Sequence, residues 1–135
     1  MLAATIQWIG HLPSTPVVSI VDDDDSVRAS IDSLVRSLGF TAHSFASADA
    51  FLQSPRLTET RCLISDVQMP DKSGLDLQNI LMAQGSSIPI IFITAFPDEA
   101  VEKTAMKAGA ICFLNKPFDG QVMIKCLYRA MALNP

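Results

Sequence analysis

Five polar side chains stand where apolar runs stop: Asp22 and Asp23 after Val17–Val21, Asp66 after Cys62-Leu63-Ile64, Thr94 after Ile88 to Ile93, and Lys116 after Ile111 to Leu114. Each is ordinary alone, and a solitary Asp66 would pass for a loop aspartate. Together they are three carboxylates, a hydroxyl and an ammonium. If the strands that precede them run parallel, all five share the sheet edge where open α/β folds bind ligands. Clustered carboxylates repel, so they must take up protons or hold a cation. Hard oxygen ligands, with waters completing the shell, suit Mg²⁺. Such an ion neutralises phosphoryl oxygens and orients them for in-line attack. A carboxylate then acts as nucleophile and forms an acyl phosphate. Asp66, central in the expected sheet, is the natural nucleophile. Lys116 would pair with one phosphoryl oxygen as a compact charge, and the Thr94 hydroxyl would donate to another.

The elements that must position these groups are legible in order. Val17–Val21 is a β-branched run and reads as a buried strand. After four consecutive acids, Asp22 to Asp25, the residues Val27, Ile31, Leu34, Val35 and Leu38 recur at helical spacing, and Gly39 supplies the stop. Asp24 and Asp25 read as solvated first-turn residues that favour the helix dipole, not as ligands. Phe40 to Phe45 is a second strand, and Ser47 can cap a short helix through Ser54 with Phe51 and Leu52 inward. The third strand ends at Asp66. The breakers Met69 to Gly74 follow it, and Ser73 can cap a helix carrying Leu75, Leu77, Ile80 and Leu81. Ile88 to Ile93 is the fourth strand. The next helix is expected to hold Pro97 near its first turn and to stop at Gly109. Ile111 to Leu114 is the fifth strand, and Asp119 can cap a last helix running to about Ala132.

Five strand–helix pairs in strict alternation predict one α/β domain, a flavodoxin-like (βα)5 fold. Its parallel sheet has order 2-1-3-4-5 with helices on both faces. Residues 1–16, closing in Pro13 and Pro16, read as an N-terminal tail or linker, and residues 17–133 as the domain. The chain stops soon after the fifth helix, which leaves open a stand-alone domain or a piece of a larger regulator.

The 135 residues suffice for one core, and with 49% hydrophobic and 18% charged residues the composition is that of a packed globule. A net charge of -4 argues against non-specific binding to nucleic acid or anionic membrane. No apolar run approaches the roughly 20 residues of a membrane span, and no Lys or Arg before Arg28 supplies a secretory n-region. A cytoplasmic location is therefore expected. The three cysteines make no C-x-x-C pair; Cys62 and Cys112 lie in apolar runs and read as buried small hydrophobes of a reducing compartment.

The segments VSIVDDDDSVR, LISDVQMPDKSG, IIFITA and FLNKPF resemble the motif set of response regulator receiver domains, nearest to the FixJ-like branch. The resemblance covers residues 17 to about 132. It implies that Asp66 accepts phosphate from a sensor histidine kinase or phosphotransfer protein. It implies an acidic pocket of Asp22 and Asp23, with Asp23, Asp66 and the backbone carbonyl of Gln68 as Mg²⁺ ligands. Thr94 takes the switch-hydroxyl position, Phe113 the aromatic switch position, and Lys116 the phosphate-pairing position. The Lys116–Pro117 bond is implied to be cis, an isomer that costs little only before proline. The face formed by the fourth helix, fifth strand and fifth helix is implied to dimerise on phosphorylation or to meet an output domain. The last helix is apolar almost all round (Val122, Met123, Ile124, Cys126, Leu127, Tyr128, Ala130, Met131), which suits such a surface. Gln68 and Phe96 should flank the path of water to the acyl phosphate, with Phe96 shielding it.

Three rival functions stand beside this one. A receiver-like interaction module would use the same fold without phosphate. A small Mg²⁺-dependent phosphohydrolase would also use an aspartate nucleophile, but its common pattern places a second acid where this chain has Gln68. A flavodoxin-type cofactor binder would need a phosphate-cradling loop after the first strand, where four aspartates stand instead.

Overall fold

The structure is a computed structural model that describes residues 15–133. The tail reading for residues 1–16 falls almost wholly outside the described residues. The strands are β1 (Val17–Val21), β2 (Thr41–Phe45), β3 (Thr60–Asp66), β4 (Ile90–Thr94) and β5 (Cys112–Asn115). The helices are α1 (Asp25–Ser37), α2 (Ala48–Leu52), α3 (Gly74–Ala83), α4 (Glu99–Lys107) and α5 (Gly120–Leu133). The five strands form one sheet in the order β2-β1-β3-β4-β5, every neighbouring pair parallel. This is the flavodoxin-like order expected from the alternation of elements.

Strand alternation sends neighbouring side chains to opposite faces and so builds two cores. On one face, Val18, Ile20, Ile64, Ile91 and Ile93 pack against Ile31 and Val35 of α1 and Met123, Leu127 and Ala130 of α5. On the other, Leu63 and Phe92 pack against Phe51 of α2, Leu77 and Leu81 of α3 and Ala105 of α4. Each fully buried Ile, Leu or Phe contributes roughly 1.5–3 kcal/mol, so two opposed layers hold the sheet between its helices and fix the strand ends.

The helix starts follow the capping residues. Asp24 accepts from the N–H groups of Ser26 and Val27 at 2.9 and 3.1 Å, and Asp119 accepts from Gln121 N–H at 2.7 Å. Ser73 and Asp76 form a reciprocal capping box at 3.1 and 2.9 Å. Asp98 caps α4, so Pro97 precedes the helix instead of lying in its first turn. Gly39 and Gly109 close α1 and α4 with φ of 89° and 104°.

The boundaries differ from expectation in two further places. A 3-10 turn, Pro55–Glu59, occupies the stretch before β3, started by Ser54 accepting from Arg56 N–H. Pro89 lies outside β4, where its missing N–H costs nothing, and its carbonyl accepts from Leu63 N–H at 3.0 Å. Cys62 and Cys112 are both buried as expected, but the cysteine reading needs correction for bonding. Cys62 is free and buried, whereas Cys112 is joined to Cys126 as a disulfide, with Cα atoms 6.2 Å apart. Packing of α5 on β5 brings the two residues within bridging range, and no local motif announced it.

Among the described residues no helix is long and apolar enough to cross a membrane. The apolar helix α5 buries Met123, Cys126, Leu127 and Ala130 and leaves Val122 and Tyr128 exposed.

Candidate functional site

Asp22 and Asp23 follow β1, Asp66 and Thr94 end β3 and β4, and Lys116 follows β5. The parallel register therefore delivers all of them to one edge. One carboxylate oxygen from each of Asp22, Asp23 and Asp66 lies within 4.8 Å of the others. Asp22 and Asp66 are buried and Asp23 is exposed, so the cluster opens to solvent on the Asp23 side. Lys116 Nζ stands 2.9 Å from Asp22 Oδ2 and 3.3 Å from Asp66 Oδ2, bridging the two buried acids.

The backbone around Asp22 is held from several sides. Its N–H donates to the Phe45 carbonyl at 3.1 Å, and its Oδ1 accepts from Asp24 N–H at 2.8 Å. Arg28, itself paired with Asp25, donates to the Asp22 carbonyl at 2.6 Å. Asp22 Oδ2 is buried and meets Lys116 as a charge contact without hydrogen-bond alignment. A buried, incompletely satisfied carboxylate oxygen beside two further acids fits a hard divalent cation held by oxygen ligands. The residues that could hold Mg²⁺ are thus Asp22, Asp23 and Asp66.

The electrostatics match that crowding. Burial, with the Asp22 carboxylate adding to it, pushes Asp66 up to about 6 against the opposing pull of Lys116. Burial works against the Lys116 ammonium, yet its contacts with Asp22 and Asp66 outweigh that and raise it above an ordinary lysine. The lysine stays charged, and Asp66 is a carboxylate whose charge is costly until a cation answers it.

Thr94 is fully buried at the end of β4. Its hydroxyl donates to Gln68 Oε1 at 2.7 Å and accepts from Phe96 N–H at 3.0 Å. Phe113 lies partly buried on β5 with its ring centroid 6.1 Å from that of Phe92. The Lys116–Pro117 peptide bond is cis, and Lys116 N–H donates to the Thr94 carbonyl at 2.7 Å.

Three contributors escaped the sequence reading. Arg28 was one more polar residue on a helix, and only the fold shows it clamping Asp22. The Gln68 side chain had no visible partner, because Thr94 is distant in sequence. Gly74 approaches the Asp66 backbone so closely that a Cβ there would sit 2.3 Å from the Asp66 carbonyl oxygen. A glycine in the first turn of a capped helix was the one available signal.

A parallel sheet of this order, carrying an acidic cluster and a lysine at its carboxyl edge, has the architecture of a signalling receiver. The family model described as response regulator receiver domain matches residues 18–128, and the chain belongs to that family. It is similar to the response regulator protein TodT of Pseudomonas putida, 42% identical over 119 residues, covering 88% of this chain and 52% of that one. The chain thus spans about half the length of TodT. Among solved structures it resembles the response regulator StyR, with 44% identity, a TM-score of 0.83, and coverage of 90% of this chain and 61% of that one. It also resembles FixJ-N, with 38% identity, a TM-score of 0.77, and coverage of 87% and 94%. The chain is accordingly a receiver domain of two-component signalling, a signalling module and not a classical enzyme.

Proposed function

We propose that this domain accepts a phosphoryl group on Asp66. The donor is the phosphohistidine of a sensor kinase or phosphotransfer protein. An Asp66 carboxylate oxygen attacks phosphorus, the P–N bond to the donor imidazole breaks, and the imidazole keeps the electron pair and is reprotonated. Asp23, Asp66 and the Gln68 backbone carbonyl, with Asp22 beside them, would hold Mg²⁺, which when bound would supply charge neutralisation at the phosphoryl oxygens. Lys116 moves from bridging two carboxylates to pairing a phosphoryl oxygen. Thr94 gives up Gln68 and donates to another, and Phe113 turns inward as Thr94 vacates its position. The readout is the face of α4, β5 and α5, through a second copy or an output domain. The setting is cytoplasmic.

The observation that carries this reading is the Lys116 ammonium poised between Asp22 and Asp66. A buried ion pair is weak evidence for a merely stabilising role, because desolvation offsets much of its attraction.

Intact mass after incubation with Mg²⁺ and a small acyl-phosphate donor tests it. Wild type should gain a single phosphoryl adduct, absent without Mg²⁺ and absent in Asp66→Asn. A folded protein that takes no adduct would instead be a phosphate-independent interaction module. Free phosphate released in rapid, unlimited turnover would indicate a phosphohydrolase.

A further inference from the structure

Cys112 begins the edge strand β5 and Cys126 lies on the buried side of α5, joined across the two elements. Three features mark this pair as chemically active in addition to its packing role. Cys112 lies at the border of the sheet, paired only with β4, and keeps 9% of its surface exposed. Arg129, one turn beyond Cys126 on the same helix face, brings Nη1 to 4.0 Å from Cys112 Sγ. The guanidinium thus places positive charge beside the sulfur that would attack in disulfide exchange. By contrast Cys62 is fully buried in the centre of the sheet, and burial pushes its thiol up to about 12. The chain thus separates one free thiol in the centre of the sheet from one bonded pair at its edge.

We propose that Cys112 and Cys126 are a redox modification site that exchanges with low-molecular-weight disulfides and fastens α5 to β5. In the reduced protein the Cys112 thiolate attacks one sulfur of the small disulfide. That S–S bond breaks, one small thiolate leaves, and a mixed disulfide forms on Cys112. The Cys126 sulfur then attacks Cys112 Sγ and expels the second small thiolate. The two protein thiols give up two electrons and two protons, and the small disulfide becomes two thiols. In a glutathione-buffered compartment such a pair cycles instead of persisting.

The bond spans 14 residues of sequence, and the segment it closes contains Phe113, Lys116 and Pro117. Oxidation therefore anchors both ends of the stretch that delivers the ammonium to Asp22 and Asp66. The reduced protein keeps the β4 ladder of that stretch, including Lys116 N–H to the Thr94 carbonyl, but loses its covalent tie to α5.

The test uses the whole chain and reads neither phosphate nor Mg²⁺, so its outcome is separate from the Asp66 reading. Protein is treated with dithiothreitol or with oxidised glutathione, quenched in acid, denatured, alkylated and weighed. The reduced sample should take an alkyl group on each of the three cysteines. The oxidised sample should be two hydrogens lighter and take one alkyl group, on Cys62, with a Cys112–Cys126 cross-link in the peptide map. Its thermal unfolding should shift upward by roughly 5 °C relative to the reduced form. Cys126→Ser should trap a glutathione adduct on Cys112. Three alkylated thiols after oxidised glutathione, or adducts without the internal link in wild type, would overturn the proposal. Equal unfolding temperatures would overturn the fastening, and no adduct in Cys126→Ser would overturn Cys112 as the attacking sulfur.

Discussion

The Thr94 hydroxyl and the Gln68 carboxamide are bonded at 2.7 Å, so the one proton that Thr94 can donate is spent on a neighbour outside the acidic cluster. Its acceptor capacity is engaged by Phe96 N–H. A buried hydroxyl satisfied on both sides rests at a minimum, and redirecting it means breaking the Gln68 contact. A neutral hydrogen bond is worth about 0.5–1.5 kcal/mol net. Gln68→Ala should therefore ease the redirection and raise the rate of phosphorylation by a small acyl phosphate about 2–10-fold. The Gln68 backbone carbonyl is untouched by this change. In a Thr94→Ala background the Gln68 substitution should have no effect, and a double-mutant cycle of phosphorylation rates measures this.

Asp66 offers a stability test. Its pKa in the folded protein is about 6 against an ordinary 3.8, so the folded state binds the proton more tightly than the unfolded chain. A raised carboxylate contributes stability that is fully present below the unfolded value and is lost as pH climbs through the folded one. Removing the charge should relieve that loss. In chelator, Asp66→Asn should be about 1–3 kcal/mol more stable than wild type near neutral pH. The gain should fade toward zero near pH 4, which urea midpoints across that range would reveal.

Mg²⁺ should act in the same sense, by answering the charge that the substitution removes. A cation bound only by the folded state stabilises it by about 2.7 kcal/mol at a hundredfold excess over Kd. Wild type should melt higher as Mg²⁺ is titrated at neutral pH, while Asp23→Asn should need far more ion for the same shift. An identical titration in the two proteins would remove Asp23 from the ligand set.

Gly74 is constrained by space, not by φ. A Cβ would meet the Asp66 carbonyl oxygen at 2.3 Å, a Phe92 ring carbon at 3.0 Å and the Val67 Cα at 3.1 Å. Two of these are backbone atoms and cannot swing aside. Gly74→Ala should cost about 1–3 kcal/mol, measured by urea unfolding, and should weaken the Mg²⁺-induced stabilisation because the Asp66 backbone is what it displaces.

Phe96 leaves 69% of its surface exposed, and its N–H is tied to the Thr94 hydroxyl. An apolar ring with so little burial contributes little to stability, which frees it to screen the phosphoryl group from water. Phe96→Ala should shorten the lifetime of the phosphorylated form with little change in melting temperature. An unchanged decay rate would remove the ring from that role.

The fold was readable because strand and helix periods alternate without interruption and because each helix start carries its own cap. Ser47, Ser73 and Asp119 all accept from the helix they precede. The acidic cluster and Lys116 were readable for a topological reason: a parallel sheet brings its carboxyl ends together whatever lies between. Pairings within the site were not. Nothing in the local sequence says that Arg28 reaches the Asp22 carbonyl, that Gln68 finds Thr94 across 26 positions, or that Cys112 meets Cys126. Those contacts depend on rotamers and on how one helix is seated over one strand, which periodicity does not encode. Pro97 was misplaced by a residue or two because proline tolerates both the first helical turn and the loop before it, and the Asp98 side chain decided between them.

The β4–β5 register has a mechanical consequence. Thr94 sits opposite Asn115, and the Thr94 carbonyl accepts from Lys116 N–H at 2.7 Å. The main chains that carry the hydroxyl and the ammonium are therefore stitched together, and a slip of one residue would turn every β5 side chain to the wrong face. With their main chains paired, the side chains of Thr94 and Lys116 are the parts left to rotate relative to one another. The domain works less like a hinge than like a keyboard, with a rigid frame beneath and independent keys above it.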